Sequence, residues 1–298
     1  MKRVLFAQPI SLAGRTLRLR ANVLKSLLFA CATLAAGVSA TLSPSTARAE
    51  SWPSHVKADY EISFNGFSVG TFAFQAETGG QVYTASGNAK LSLLLGAISW
   101  KSEIRTVGSV VKDAPKPGGY TFDIVSGAKS ISTRMGFEDG MVSSIANYPE
   151  ALHTSPVVPL KPQHLQGVVD PMSAMMQLAF GNNPCERRLS IFDGRERFDL
   201  VFSRKGETRI SEQQPSGQPG TGLVCRIRYV PIAGHKVDDG TRFMANTDEI
   251  EVVLRPIPSA KIYVPYQVTI PMPVGSAKLT SKRVEITQTG RPRIALLY

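Results

Sequence analysis

From residue 55 onward the chain alternates apolar and polar residues with period two, and glycine-bearing turns break the alternation at short intervals. That pattern belongs to strands with one face in a core and the other in water. Ala58, Tyr60, Ile62 and Phe64 face one way, and Lys57, Asp59, Glu61 and Ser63 the other. Asn65-Gly66 then supplies a two-residue hairpin turn. Phe72, Phe74 and Ala76 line the next strand, and Gly79-Gly80 turns the chain again. Ile98, Trp100 and Ile104 alternate with Lys101, Glu103 and Arg105, and Tyr120, Phe122 and Ile124 repeat the pattern. Asp139-Gly140 joins a strand ending near Phe137 to one starting near Met141. Further strands are expected at Leu189–Phe192, Phe198–Phe202, Leu223–Tyr229, Ile250–Leu254, Tyr266–Ile270 and Leu279–Thr287.

One segment departs from period two. Asp170-Pro171 is a helix start, with Asp as N-cap and Pro at the first helical position. Met172, Met175, Met176 and Ala179 then recur at helical spacing up to Gly181. Before it, Pro149, Pro156, Pro159 and Pro162 mark an irregular loop between a first and a second group of strands. The expected fold is mainly β: a single curved antiparallel sheet or open, partial β-barrel, with one short helix at about 171–180 packed on or in it.

The first 49 residues contain no acid. Lys2, Arg3, Arg15, Arg18, Arg20 and Lys25 form a basic leader, an apolar run follows from Leu27 to Leu42, and Ala47-Arg48-Ala49 is a small-x-small triplet. That order is the order of a secretory signal peptide, so cleavage is expected between Ala49 and Glu50. Residues 1–49 then form the signal peptide and 50–298 a periplasmic β-rich domain. The apolar run is shorter than a spanning helix needs and is diluted by Thr33, Gly37, Ser39 and Thr41. The leader is long for a signal peptide, which places the true start codon downstream as an alternative. Cys31 in Leu28-Phe29-Ala30-Cys31 loosely resembles a lipoprotein box, but the apolar run continues past it and it reads as an inert residue of that run. Past the leader no stretch is long and apolar enough to cross a bilayer.

The leader also carries most of the excess charge. The whole chain is at +11; seven of its 34 basic residues lie before residue 50, leaving 27 against 23 acids, a net +4. No dense Lys/Arg run remains on which to thread phosphates, so nucleic acid is not an expected partner. Cys185 and Cys225 remain beyond the leader. In an oxidising compartment an isolated pair reads as one disulfide, and without Cys-x-x-Cys it does not read as a redox centre.

No coherent catalytic set emerges. His55, His153, His164 and His235 show no metal-ligand spacing, although His153 and His164 flank the Pro-rich loop. Ser-x-x-Lys occurs at Ser54–Lys57, Ser109–Lys112 and Ser126–Lys129, without the helix start and companion motifs the chemistry needs. The acids at Glu138-Asp139, at Asp193, Glu196 and Asp199, and at Asp238-Asp239 sit beside turn glycines, where backbone geometry explains them. No cofactor and no metal are expected. At the C-terminus Ile294, Leu296 and Tyr298 alternate as in outer-membrane barrels, but Pro292 and the methionine helix fit a lipid-facing barrel poorly.

Three short motifs occur in a fixed order: Tyr60-Glu61-Ile62 with Gly66-Phe67-Ser68-Val69-Gly70; Asp170-Pro171-Met172-Ser173-Ala174; and Phe192-Asp193-Gly194-Arg195-Glu196-Arg197. In this the chain resembles the bacterial exported family called domain of unknown function 3108, over about residues 56–289. The resemblance implies an exported β-rich protein and supplies no catalytic residues.

The functional reading is an uncharacterised, non-enzymatic periplasmic envelope protein that binds a lipid, another hydrophobic ligand or an envelope protein. Met172, Met175, Met176 and Trp100 are the candidate apolar lining, since a curved sheet that fails to close leaves an apolar concavity. Two alternatives are a glycan or peptidoglycan hydrolase, which needs two carboxylates converging in a cleft, and a structural interaction protein with no small ligand.

Overall fold

The computed structural model describes residues 52–93, 98–112, 114–150 and 156–298. Residues 1–51, with the expected cleavage position between Ala49 and Glu50, lie outside the described residues, as does His153. Fourteen strands occur among the described residues: β1 (His55–Phe64), β2 (Phe67–Gly79), β3 (Val82–Leu93), β4 (Ile98–Val111), β5 (Ala114–Ser126), β6 (Lys129–Glu138), β7 (Met141–Tyr148), β8 (Arg188–Phe192), β9 (Arg197–Arg209), β10 (Thr221–Ala233), β11 (Glu251–Ile257), β12 (Ile262–Met272), β13 (Gly275–Thr287) and β14 (Ile294–Leu297). Two α-helices accompany them, α1 (Pro171–Ala179) and α2 (Asp239–Asn246).

All strands join one antiparallel sheet in the order 7-6-5-4-3-2-1-13-12-11-10-9-8, with β14 added on β13. The chain starts in the middle of the sheet and walks outward by hairpins to β7. It then crosses to the opposite edge at β8 and walks back until β13 pairs with β1. The turns follow from their residues. Asn65 and Gly66 have φ of 48° and 87°, and Asp139 and Gly140 have 50° and 75°, the doubly left-handed backbone of a tight hairpin that these residue types tolerate.

The sheet curls around α1, which touches β3, β4, β5, β8 and β12, strands from both halves. Met172 and Met176 pack into the core of the first half with Tyr83, Tyr120, Met135 and Phe137. Ala174 and Leu178 pack into the core of the second half with Leu189, Ile191, Phe202 and Ile227. The i, i+4 spacing thus gives the helix two apolar faces and leaves little of it in water. A third core lies under β1, β12, β13 and β14, where Val284, Ile286 and Leu296 are fully buried. The C-terminal alternation therefore belongs to a strand on β13, not to a lipid-facing barrel strand. Arg255, fully buried beside it, donates to Pro219 O (3.1 Å), Ser216 Oγ (3.2 Å) and Tyr298 Oη (3.1 Å) and pairs with Glu212.

The edge strands β7 and β8 do not pair with each other. The crossover segment lies between them instead: Gln166 bridges to Met141 at one edge, and Val169 exchanges backbone hydrogen bonds with Ser190 and Phe192 at the other (3.0 Å each). Asn147 of β7 also donates to Gly194 O in the β8–β9 turn (2.9 Å). The result is an open barrel whose seam is bridged by side chains and one short stretch of chain.

Helix α2 departs from the expected single helix. Asp238-Asp239-Gly240 reads as a turn, yet Asp238 caps a helix by accepting from Thr241 N (2.8 Å). None of its residues is fully buried, and only its Met244 packs against the core of the second half.

Cys185, just after α1, is bonded to Cys225 on β10, with Cα atoms 5.1 Å apart. The bond ties the crossover to the second half, and both residues lie in the core. Closing this 40-residue separation stabilises the fold by about 4 kcal/mol through loop-closure entropy. Cys225→Ser is expected to lower the unfolding free energy by that order, read from urea denaturation under oxidising conditions. An unchanged midpoint would sink the structural role of the bond.

Candidate functional site

Three places gather polar or apolar groups beyond what the sheet needs. The first is the N-terminus of α1. Asp170 is fully buried. Its Oδ1 accepts from Met172 N (2.9 Å) and Ser173 N (3.0 Å), satisfying two of the amides a helix start leaves open. Its Oδ2 accepts from the Ser173 hydroxyl, and Thr106 on β4 shares its proton between Oδ2 (3.0 Å) and Gly119 O (3.1 Å). Because Ser173 gives its proton to Asp170, Tyr83 on β3, with Oη 2.6 Å from Ser173 Oγ, is the donor in that contact. Burial pushes the Asp170 carboxyl above its ordinary range, and the donors hold part of that back. The group resembles a nucleophile with its partner, but no histidine joins it and every member is buried. It is a lock that fixes the helix to the first half of the sheet.

The second place is the β8–β9 turn. Asp193 Oδ1 accepts from Arg195 N (2.8 Å) and Glu196 N (2.7 Å), and Tyr229 donates to Glu196 Oε2 (3.3 Å). Burial raises the pKa of both carboxyls, and the Asp193 charge raises Glu196 further. Asp199 is taken up by Arg197 (2.6 Å), Arg188 (3.1 Å) and Ser190 (3.0 Å). Gly194 has φ of 100°, and a Cβ there would run into Thr133 Cγ2, so the turn must be glycine to seat against β6. These carboxylates line none of the three concavities described below.

The third place is the concave face itself, which differs between its two ends. Beside the start of α1, the inward residues Tyr83, Ala85, Thr106, Tyr120, Thr133 and Met135 are all buried. Further along the same strands, inward positions stay half-buried although they are apolar: Ile62, Leu91, Trp100, Ile124 and Leu279. Ile131 is 39 % exposed. Register places them side by side, with Ile62 opposite Leu279, Leu91 opposite Trp100, and Ile124 opposite Ile131. Gly70, in register between Ile62 and Leu91, adds no side chain. The helix covers one end of the face and leaves the other open.

A concavity of about 480 Å³ lies at the rim formed here by β2–β4, and residues of both faces line it: Leu91 and Trp100 from the inner face, Lys90 and Lys101 from the outer, with hydroxyl residues. Two more lie elsewhere. One, of about 330 Å³, is a polar dish on the outer face of β1–β3 and β13; the other, of about 490 Å³, lies beside Ser54, His55 and Tyr83.

The candidate lining residues are therefore divided. Met172 and Met176 are 1 % and 2 % exposed and spent on packing; Met175 is half-buried against the first core. Trp100 lines the open end, where no methionine joins it. The alternation marked Trp100 as inward; that helix α1 stops short of it was not readable from spacing. Among the histidines, His55 lies 3.4 Å from Glu77, and His164 Nδ1 accepts from Lys161 N (3.2 Å). No group of three or more His, Cys, Asp or Glu that could hold a metal ion occurs among the described residues. No helix there is long and apolar enough to cross a membrane.

The family described as "Protein of unknown function (DUF3108)" matches residues 59–282, close to the stretch over which the three motifs resemble it. The chain belongs to this family. Within DUF3108 terms, the Asp-Pro-Met-Ser-Ala motif builds the lock at the helix start, and the Asp-Gly motif builds the turn that seats against β6. A solved structure, a β-barrel-like protein of domain of unknown function DUF1849 from Brucella abortus, is similar over 80 % of this chain and 99 % of its own, with 10 % identity and a TM-score of 0.47. No curated protein matches.

The lock yields a test. A carboxyl whose pKa is higher in the folded than in the unfolded state adds stability below its unfolded pKa and loses it as pH rises through the folded value. Asp170 thus makes stability fall from acid toward neutral pH, and Asp170→Asn is expected to remove that part of the slope in urea titrations. Asp170→Ala, which strands two amides and removes the acceptor of the Ser173 hydroxyl, is expected to cost about 2 kcal/mol or more. A wild-type slope in the Asn variant would contradict the assignment.

Proposed function

We propose that this protein is exported to the periplasm, has no catalytic role, and takes the apolar chain of an amphiphile into the open end of its curved sheet. One observation carries the reading: inward apolar side chains from six strands remain half-buried or exposed at one end, while the same strands are sealed at the other. Leaving such a row in water costs free energy, about 25 cal/mol per Å² of apolar surface, which a bound chain would recover. A Trp with its ring on the apolar side and its N–H near water suits that boundary.

Export is supported by the order of the leader, basic then apolar then Ala47-Arg48-Ala49, and by a disulfide, which persists in oxidising compartments. Protein purified from the periplasmic fraction is expected to begin at Glu50 and to carry an oxidised Cys185–Cys225 pair by intact mass. A chain retaining residues 1–49 in the cytoplasm would overturn export.

The chain site is read from fluorescence. Trp52 and Trp100 are the two tryptophans, and Trp52 stacks on Phe180 with ring centroids 3.7 Å apart. In a Trp52→Phe background the emission reports Trp100 alone. Titration with a dodecyl lysophospholipid below its micelle concentration is expected to shift that emission to the blue and to saturate. Unchanged emission would overturn the chain-binding reading.

A further inference from the structure

Behind the apolar row, on the other side of the sheet, the outer face of the same strands breaks a rule of sheet electrostatics. Lys90 of β3 and Lys101 of β4 are direct cross-strand partners, and both are exposed. Like charges directly opposite on antiparallel strands repel and destabilise the pairing. Neither lysine makes an ion pair among the described residues. Glu103, two residues along the same face, is committed to Arg105.

The sheet treats its other like-charged pair differently. Glu103 and Asp123 also face each other across β4 and β5. There Arg105 binds Glu103 and Arg134 binds Asp123 at 3.0 Å, so the repulsion is relieved within the protein. The lysine pair has no such relief, and uncompensated local conflicts concentrate at functional sites.

What surrounds the two ammonium groups is a mixture of hydroxyls and the apolar Val69, Leu91 and Trp100. The concavity of about 480 Å³ that they line also carries Ser68, Thr71, Ser92 and Ser99, and no carboxylate lines it. Thr71 lies opposite Lys90, and Ser92 opposite Ser99, so hydroxyls border the charged pair on two sides. Ammonium groups and hydroxyls can all donate to one acceptor-rich anion.

We infer that Lys90 and Lys101, with the neighbouring hydroxyls, form a binding site for a phosphate-type oxyanion, the head of the amphiphile whose chain passes Leu91 and Trp100. The inference rests on the proposed chain site, because Leu91 and Trp100 line the same concavity. The lysines supply the counter-charge, and the serine and threonine hydroxyls orient the oxygens.

The test compares three probes by calorimetry: dioctanoyl phosphatidic acid, dioctanoylglycerol, which has the same chains without phosphate, and inorganic phosphate. Wild-type protein is expected to bind the phosphatidic acid at least tenfold tighter than dioctanoylglycerol. Lys90→Gln/Lys101→Gln is expected to abolish that preference and keep the dioctanoylglycerol affinity. Lys90→Arg/Lys101→Arg is expected to retain it. Because the lysines are exposed and repel, the Gln variant is expected to melt no lower than wild type, which separates lost binding from lost folding.

Equal affinity for the two lipids in wild type would overturn the anion site and leave the chain site standing. Lysine-dependent binding of inorganic phosphate with no response of Trp100 to either lipid would keep the anion site and overturn the chain site. Inorganic phosphate binding as tightly as the phosphatidic acid would assign the site to the free ion and overturn its role as a lipid headgroup site.

Discussion

The Asp170 carboxylate is where the crossover, the helix and the first half of the sheet are held to one another. Oδ1 closes the start of α1, and Oδ2 reaches Thr106 on β4 and Ser173 on the helix, which in turn receives Tyr83 from β3. A buried carboxylate is costly unless its lone pairs are filled. The filling groups come from segments distant in sequence, so the network is satisfied in one packing and strained in others. The helix then carries the arrangement across the concavity: Met172 and Met176 enter one core, and Ala174 and Leu178 the other.

This helix also explains why the sheet is curved but not closed. A barrel that sealed β7 to β8 would have to pass the crossover segment through or over the seam. Here the segment becomes part of the seam, bridging to Met141 on one side and to β8 on the other. Two exposed strand edges would otherwise invite pairing with other chains. The five-residue length of β8, the Asn147–Gly194 contact and the Val169 pairing blunt that hazard. The Asp-Gly motif serves the same seam, since only a residue without Cβ fits against Thr133.

Because the helix spans nine residues, it covers part of the concave face and no more. The lock sits at the covered end, where tyrosines and small residues close the space. At the other end the strands run on, and Trp100 and Ile124 stay half-buried and Ile131 exposed. The two faces of the β3–β4 hairpin thus differ, with Leu91 and Trp100 on the inside and Lys90, Lys101 and hydroxyls on the outside.

Much of this was legible in the chain before folding. Period two marked the strands and their inward residues, Asn65-Gly66 and Asp139-Gly140 marked hairpins, and Asp170-Pro171 marked the helix start, because each is a local preference of backbone or side chain. The cysteine pair was readable because only two cysteines follow the leader. Long-range facts were not. That β13 returns to β1, that the crossover runs inside the concavity, and that Ser173, Thr106 and Tyr83 converge on Asp170 depend on contacts between residues far apart in sequence, which no local period records. The methionines and Trp100 looked alike as apolar candidates; helix length alone separated buried packing from open lining. Helix α2 stayed hidden because it is eight residues long and opens on Asp238-Asp239-Gly240, which reads as a turn. The sequence by itself determined strands, turns, one helix and a disulfide, since those follow from local chemistry. Tertiary structure alone decided which side chains are sealed in and which face an open end, since that depends on where a short helix stops against a long sheet.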